Sequence, residues 1–354
     1  MVEMGKQERN YGIDLLRMLL MYMVCLLHIL GQGGILKACE VGSVRYAMFW
    51  FMEVCAYCAV DGFAMISGYT ASNRPNQYSK LVGMWFQAWF YSFVVTVILQ
   101  AAGVGNPLKT KDYLKLLVPV MSGSFWYFTA YFALFLALPA LNGFIFSLDE
   151  KQSRKAFIVL LFLFSLTALH NEAFETNRGY SPLWLMVLYC MGAFAKRSRL
   201  FEKKHTALLL FCLLFNSLLS LGYFLGHEKR TLISYVSPTI VLNGVILVVL
   251  FSRLRLKGTV IRKISPLVFG VYLFQMNRIV WGTVLKGSVV FAAEQSLIRG
   301  ACTAVAYAML LFTVGIAVEW VRSSLEKLFK MNRVYQAIAA GIDKLLDKLS
   351  LTLH

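Results

Sequence analysis

Polar sequence is scarce in this chain. Charged residues make up 15% of its 354 residues, whereas hydrophobic residues make up 58%. No stretch is long or polar enough for a separate soluble domain, and apolar runs of roughly 20 residues recur along the whole length. This composition excludes an ordinary soluble enzyme and predicts an all-α, polytopic membrane protein.

The motifs of several enzyme classes are also missing. The sequence has no G-x-S-x-G nucleophile elbow, no P-loop and no G-x-G-x-x-G fingerprint. No His and Cys residues have the spacing of metal ligands. Cys55 and Cys58 form a C-x-x-C pair, but inside an apolar segment they lack the context of a redox motif. An enzyme of this kind is expected to use base catalysis with direct transfer and no permanently bound cofactor.

Acidic residues are few, 18 Asp and Glu against 35 Lys and Arg, which gives a net charge of +17. The basic residues flank apolar segments, so they indicate membrane orientation and not a nucleic-acid partner. The richest clusters, at 196–205 and 253–263, lie on the same side as the N-terminus and the C-terminal tail. The positive-inside rule therefore predicts a multi-pass protein of the cytoplasmic membrane with both termini in the cytoplasm.

Ten membrane spans are predicted, followed by a tail. The spans fall near 11–31, 46–70, 81–102, 124–146, 156–170, 182–195, 206–226, 231–251, 264–285 and 298–321. We therefore predict a transmembrane domain over 1–322 and a cytoplasmic tail over 323–354. Apolar residues recur every three or four positions between 325 and 349, which predicts an amphipathic helix. That helix is expected to lie on the membrane surface, or to contact a second copy in a homo-oligomer.

The first span holds the clearest functional candidates, Arg17 and His28. They are eleven residues apart, which on an α-helix is three turns plus about 20°, so both point the same way about 16 Å apart. Asp14 lies one turn before Arg17 on the same stripe. Ionisable residues inside a span normally face a polar interior and carry function. His28 is suited to general-base catalysis and Arg17 to holding an anion.

Structural interpretations of these residues remain open. His28 could simply form a hydrogen bond to a neighbouring helix. Arg17 could be paired with Asp14 for stability alone, or could extend towards the membrane surface. The combination of all three residues on one stripe favours function.

The second span adds five candidates. Glu53 and Asp61 are eight residues apart, about 80° around a helix, so they need not share a site. Each needs a polar partner, and Asp61 could pair with an arginine of another helix. Ser67 and Gly68 permit close approach of a ligand or of another helix. Arg74 could bind the ligand or serve as an ordinary basic flank.

The remaining candidates lie in the fourth and ninth spans. Trp126, Tyr127 and Tyr131 open the fourth span, either as an interfacial aromatic belt or as a stacking surface for a sugar. Arg278 is an intramembrane cation that could line the cavity or pair with Asp61 or Glu53.

Four segments in order resemble the acyltransferase-3 family of integral membrane acyltransferases. They are YGIDLLRMLLMYMVCLLH, with the Asp-x-x-Arg start and the Arg-x10-His signature, then DGFAMISGYTASNR, GSFWYFTAYFALFLALPALN and SPLVFGVYLFQMN. The likeness covers nearly the whole chain. The last segment differs from the family pattern at one position, because this chain has Gln275 where the family often has a histidine.

The resemblance implies transfer of an acyl group, usually acetyl from acetyl-CoA, to a hydroxyl of a cell-surface or lipid-linked saccharide. Coenzyme A phosphates would lie near Arg17 and Arg74, beside Ser67 and Gly68. His28 would be the general base, with Asp14 holding Arg17 in place. Trp126, Tyr127, Tyr131, Asp61, Glu53 and Arg278 would contact the acceptor.

Two other functions fit the sequence. A transporter or flippase for an anionic or glycolipid substrate would also need charges at the membrane midplane. A non-catalytic scaffold of a glycan-assembly complex would explain the amphipathic tail and Gln275. A transporter would consume no thioester, and a scaffold would bind no coenzyme A.

Overall fold

The computed structural model describes residues 9–72, 78–170 and 174–352, and these residues contain no β-strand. Turns, π-helical segments and 3-10 turns connect its α-helices. In chain order the α-helices are α1 (Tyr11–Gly31), α2 (Ile35–Ala38), α3 (Val44–Tyr57), α4 (Ala59–Tyr69), α5 (Tyr78–Trp89), α6 (Val95–Ala101), α7 (Thr110–Leu116), α8 (Trp126–Ser147), α9 (Glu150–Leu161), α10 (Pro182–Arg197), α11 (Thr206–His227), α12 (Pro238–Ser252), α13 (Thr259–Ile264), α14 (Val268–Gln275), α15 (Leu297–Leu328) and α16 (Met331–Thr352).

The all-α, multi-pass membrane architecture is confirmed, but with fewer full-length spans than the predicted ten. Within the described ranges, seven helical stretches are long and apolar enough to cross a membrane, judged by length and composition. They are Tyr11–Ala38, Val44–Tyr69, Tyr78–Ala101, Trp126–Ser147, Glu150–Leu169, Thr206–His227 and Leu297–Leu328.

The other three predicted spans fall on shorter helices. Helices α10 and α12 have 16 and 15 residues, about 24 Å at 1.5 Å per residue, which is less than the hydrocarbon core of a bilayer. Helix α14 ends after eight residues, and a π-helical segment, Val280–Leu285, follows it. The Asn277 side chain separates the two, because its carbonyl oxygen accepts hydrogen bonds from the Ile279 and Val280 amides. Hydropathy alone joins such broken segments into one span.

Helix α1 lies inside the bundle, where it packs against α3, α4, α12, α14 and α15. Its start is fixed by Asn10, whose side-chain oxygen accepts from the Gly12 and Ile13 amides as an N-cap. The Asn10 amide donates to the Ser252 carbonyl at 2.8 Å. A Cβ at Gly12 would lie 2.0 Å from the Phe251 carbonyl, so only glycine allows this approach. The stripe that carries Arg17 and His28 is thereby held in a fixed register against α12.

The tail is a helix, as predicted, but α15 continues past residue 322 to Leu328. Lys330, at φ 52°, then breaks the chain direction before α16 begins. Tyr335 of α16 is buried and stacks on Phe86 of α5 at 5.3 Å between ring centroids. Helix α16 therefore docks part of its apolar face on its own bundle, through Tyr335.

Candidate active site

A cavity of about 750 Å³ runs along α1 between Arg17 and His28, and we call it the α1 cavity. Helices α1, α3, α4 and α8 and the segment 265–281 contribute to its walls. It brings together seven of the residues that the sequence singles out: Arg17, His28, Glu53, Ser67, Trp126, Tyr127 and Tyr131.

One end of the cavity is a charged cluster around Asp14, which is 3% exposed. Its Oδ1 atom lies 2.7 Å from Nη1 of Arg17, and its Oδ2 atom lies 2.5 Å from Nε of Arg9. The Ser265 hydroxyl donates to the same carboxylate at 3.2 Å. Asp14 therefore orients Arg17, as the pairing interpretation expects, but Arg17 also lines the cavity. Two guanidinium groups against one carboxylate leave an excess of positive charge at this end.

The other end is built around His28. Its Nδ1 atom is buried and has no hydrogen-bond partner in the described chain. The imidazole and the Trp281 ring pack nearly perpendicular to each other, at 4.8 Å between centroids and an interplanar angle of 85°. The Gln32 amide donates to the Trp281 carbonyl at 2.9 Å, which fixes this wall.

Gln275 packs beside His28, and it interacts with both His28 and Cys25. The amide is fully buried, and its nitrogen contacts Sδ of Met21 at 3.6 Å. Its Oε1 atom, like Nδ1 of His28, has no hydrogen-bond partner among the described residues. A buried amide with an unpaired acceptor thus lies beside an imidazole whose Nδ1 atom is also unpaired.

Packed aromatic side chains form another wall of the α1 cavity. Trp126 packs against Tyr180 at 4.6 Å and against Tyr235 at 6.1 Å, and Tyr235 stacks on Tyr57 at 4.7 Å. The Tyr127 amide donates to the Tyr272 hydroxyl at 3.2 Å. Flat rings at this spacing form a surface on which the apolar face of a sugar ring can stack.

Glu53 is a carboxylate residue of α3 that lines the α1 cavity. Its Oε2 atom is buried without a hydrogen-bond partner among the described residues, although the charge of Arg230 acts on it. The Arg230 guanidinium lies over the Trp50 ring at 4.6 Å, and Lys37 also lines the cavity.

The family model whose description is "Acyltransferase domain" matches residues 10–321. The chain belongs to the acyltransferase-3 family. The match spans every site residue predicted from the sequence and supports a membrane acyltransferase. No curated protein and no solved structure matches the chain.

Two candidates of this acyltransferase, Asp61 and Gly68, lie in contacts between helices and not in the lining of the α1 cavity. Asp61 is fully buried and accepts a hydrogen bond from Nε1 of Trp184 at 3.3 Å, with no arginine partner among the described residues. A Cβ on Gly68 would lie 1.8 Å from the Tyr189 carbonyl oxygen, so Gly68 serves the contact of α4 with α10. Arg74 lies outside the described residues.

Arg278 pairs neither with Asp61 nor with Glu53. Its Nη1 atom lies 2.9 Å from Oδ1 of Asp112 in α7, and it lines a second cavity. This hydrogen bond from Arg278 is the main cause that lowers the pKa of Asp112 below its ordinary value. The prediction that Arg278 shares the cavity of His28 is therefore wrong, because the break at Asn277 turns the chain away from α14.

Four further residues line the α1 cavity and were not predicted from the sequence: Tyr180, Tyr235, Arg230 and Lys37. Tyr180 and Tyr235 come just before a Ser-Pro pair that opens α10 and α12, in YSP and YVSP. Pro at the first helical position marks a helix start, so an aromatic residue two or three positions before that proline is placed near the start of a helix. That signal was present, whereas nothing local distinguishes Lys37 or Arg230 from other basic flanks. No group of three His, Cys, Asp or Glu residues in the described part could hold a metal ion.

Proposed function

We propose that this acyltransferase moves an acyl group, most simply acetyl, from acyl-CoA to a hydroxyl of a saccharide or lipid-linked glycan. The observation that carries the proposal is that Arg17 and His28 line one continuous cavity. Their separation along α1, about 16 Å, suits an anion at one end and a reacting thioester at the other. The long pantetheine arm of coenzyme A connects two such points.

The Arg17 end would hold the donor. A guanidinium forms paired hydrogen bonds with phosphate oxygens, and Asp14 fixes the side chain that does so. Ser67 lines the path along which the pantetheine arm would lie. Gly68 packs against α10 and is therefore not included in this proposed donor site. A contact between Arg74 and the donor is proposed from the sequence alone. The predicted topology, with both termini in the cytoplasm, would open this end to cytoplasmic acyl-CoA.

His28 would act as the general base. The acceptor oxygen attacks the thioester carbonyl carbon while its proton passes to Nε2 of His28. The carbon–sulfur bond then breaks, and the imidazolium returns the proton to the sulfur, which gives an ester and free coenzyme A. No covalent acyl-enzyme is needed.

Gln275 would orient this base. In a neutral imidazole one nitrogen donates and the other accepts. If Nδ1–H of His28 donates to Oε1 of Gln275, both buried unpaired groups are satisfied at once. The lone pair of Nε2 then faces the cavity, where the acceptor hydroxyl arrives. Gln275 thus takes the place of the third group that orients a catalytic base.

The acceptor would bind at the His28 end. Trp126 and its tyrosine neighbours offer stacking surfaces for a sugar ring, and Glu53 offers an unpaired carboxylate oxygen to its hydroxyls. Both features lie within the same cavity as the base. They favour a polyhydroxylated acceptor over an apolar one.

The deciding experiment is release of coenzyme A from acetyl-CoA by the purified protein, compared with His28→Ala. His227→Ala is the matched control, because His227 is an exposed residue at the end of α11. We expect slow release by the wild type and the control, and a loss of roughly 100-fold or more in His28→Ala. Equal release by His28→Ala and the wild type would overturn the mechanism. Absence of both release and coenzyme A binding would favour a transporter or a scaffold.

A further inference from the structure

A second cavity, of about 770 Å³, lies next to the α1 cavity. It is enclosed by residues 106–116, by residues 122–125 and by the chain from Met276 to Thr283. Met276 and Trp281 line both cavities. Trp281 also packs against His28, so the second cavity adjoins the proposed base at this side chain.

The second cavity is cationic. Lys109, Lys115 and Arg278 line it, against a single carboxylate, Asp112. Asp112 is already engaged by Arg278 and by the Lys109 backbone amide. Neither lysine ammonium lies within ion-pair distance of a carboxylate in the described part of the chain, although the charge of Lys115 acts on Asp112. Three cations against one carboxylate leave the lining with a net positive charge that can attract an anionic ligand.

A buried hydroxyl points to a ligand in the same place. Ser92 lines the second cavity and is only 2% exposed, yet its Oγ atom has no hydrogen-bond partner among the described residues. Leaving such a group unpaired is costly, so a polar atom of a ligand would be stabilised there. Ser92 lies in the π-helical segment Phe90–Val94, and such segments often occur at functional sites.

We propose that the second cavity binds the anionic group, phosphate or carboxylate, of a saccharide acceptor. This inference rests on the proposed function, since it assigns the class of acceptor that reaches His28 past Trp281. Lys109 and Lys115 neutralise the anion, and the Ser92 hydroxyl contacts an oxygen of the acceptor. An uncharged sugar lacks the group that these lysines hold.

The test measures binding of glucose 1-phosphate, glucuronate and glucose to the purified full-length protein. The wild type is expected to bind at least one of the two anionic sugars about tenfold more tightly than glucose. In the double variant Lys109→Gln/Lys115→Gln, that preference should fall about tenfold. The control is Lys151→Gln/Lys155→Gln, which removes two exposed lysines of α9 and should keep the preference. Ser92→Ala should weaken binding a few-fold without changing the dependence on charge.

The outcomes separate this inference from the proposed function. Coenzyme A binding, measured on the same preparations, reports folding and the donor site. The second cavity is not an anion site if neither anionic sugar binds more tightly than glucose. The same conclusion follows if the double variant binds the anionic sugars like its control. Both conclusions hold regardless of the result of the transfer assay. If the anionic sugar binds as expected but no acetyl-CoA is consumed, the cavity binds an anion and the acyltransfer mechanism fails. A preference for the phosphate or for the carboxylate identifies the source of the anion.

Discussion

The two ends of the α1 cavity treat polar groups in opposite ways. At the Arg17 end the buried carboxylate of Asp14 is satisfied by Arg9, Arg17 and Ser265. At the His28 end Nδ1 of His28, Oε1 of Gln275 and Oε2 of Glu53 are buried without partners among the described residues. A satisfied network holds a fixed shape, whereas unpaired buried groups are costly unless something else pairs with them. The difference suggests an anchor at one end and a reacting centre at the other.

The largest effect that can test this comparison is expected from Arg17→Gln. The substitution removes the cation of the anchor and leaves His28 untouched, so the dissociation constant of coenzyme A should rise about 10- to 100-fold. Turnover at saturating acetyl-CoA should change much less. Isothermal titration with coenzyme A, beside a full kinetic curve, measures both quantities.

Arg154→Gln is the matched control for this change, because Arg154 lies outside the lining of the α1 cavity, where it pairs with Glu150 and donates to the Ser198 carbonyl. Its coenzyme A affinity should equal that of the wild type. An Arg17→Gln protein that binds coenzyme A normally would show that the Asp14 cluster is purely structural.

A smaller effect should follow from Gln275→Leu at the opposite end. The variant removes the proposed acceptor for Nδ1–H of His28, so kcat should fall about tenfold while coenzyme A affinity is retained. Gln275→Glu should keep the acceptor, and its carboxylate should favour the imidazolium. The acid limb of its pH–rate profile is therefore expected to move to higher pH.

A merely structural role of Gln275 would give a different result. Both variants would then lose stability and activity together, with the pH–rate profile of the wild type. Thermal unfolding in detergent, recorded on the same samples, separates the two possibilities.

The sequence predicted best those features that depend on a single helix. The spacing of Arg17 and His28 predicts a common face, and α1 extends as one unbroken helix through both residues. The helical class and the amphipathic tail were predictable for the same reason, since both depend on local periodicity. Such arguments need no knowledge of neighbouring helices.

The failures come from contacts between helices. Nothing in the local sequence shows that Gly68 meets the Tyr189 carbonyl, or that Arg278 finds Asp112. Hydropathy likewise cannot detect the turn at Asn277, because the segments on both sides of it are apolar. Arg230 reaches the cavity from the 3-10 turn Arg230–Leu232, which is far from α1 along the chain. These features depend on tertiary packing, which one sequence does not display.

The smallest expected effect concerns a third kind of charge pair, the partly exposed one between Arg278 and Asp112. Arg278 holds the pKa of Asp112 below its ordinary value of 3.8, so the pair stabilises the fold fully above that pH. The contribution disappears as the pH falls through the lower, folded-state pKa. Asp112→Asn should therefore lower the unfolding temperature slightly at pH 7, and the gap to the wild type should narrow at an acid pH below 3.8. Unfolding curves of both proteins at the two pH values measure this gap.

Two outcomes would contradict this account of the Arg278–Asp112 pair. A gap that persists at acid pH would mean that Asp112 acts through its hydrogen bond to the Lys109 amide and not through its charge. A large gap at pH 7 would mean that this pair, like the Asp14 cluster, is a structural anchor of the fold.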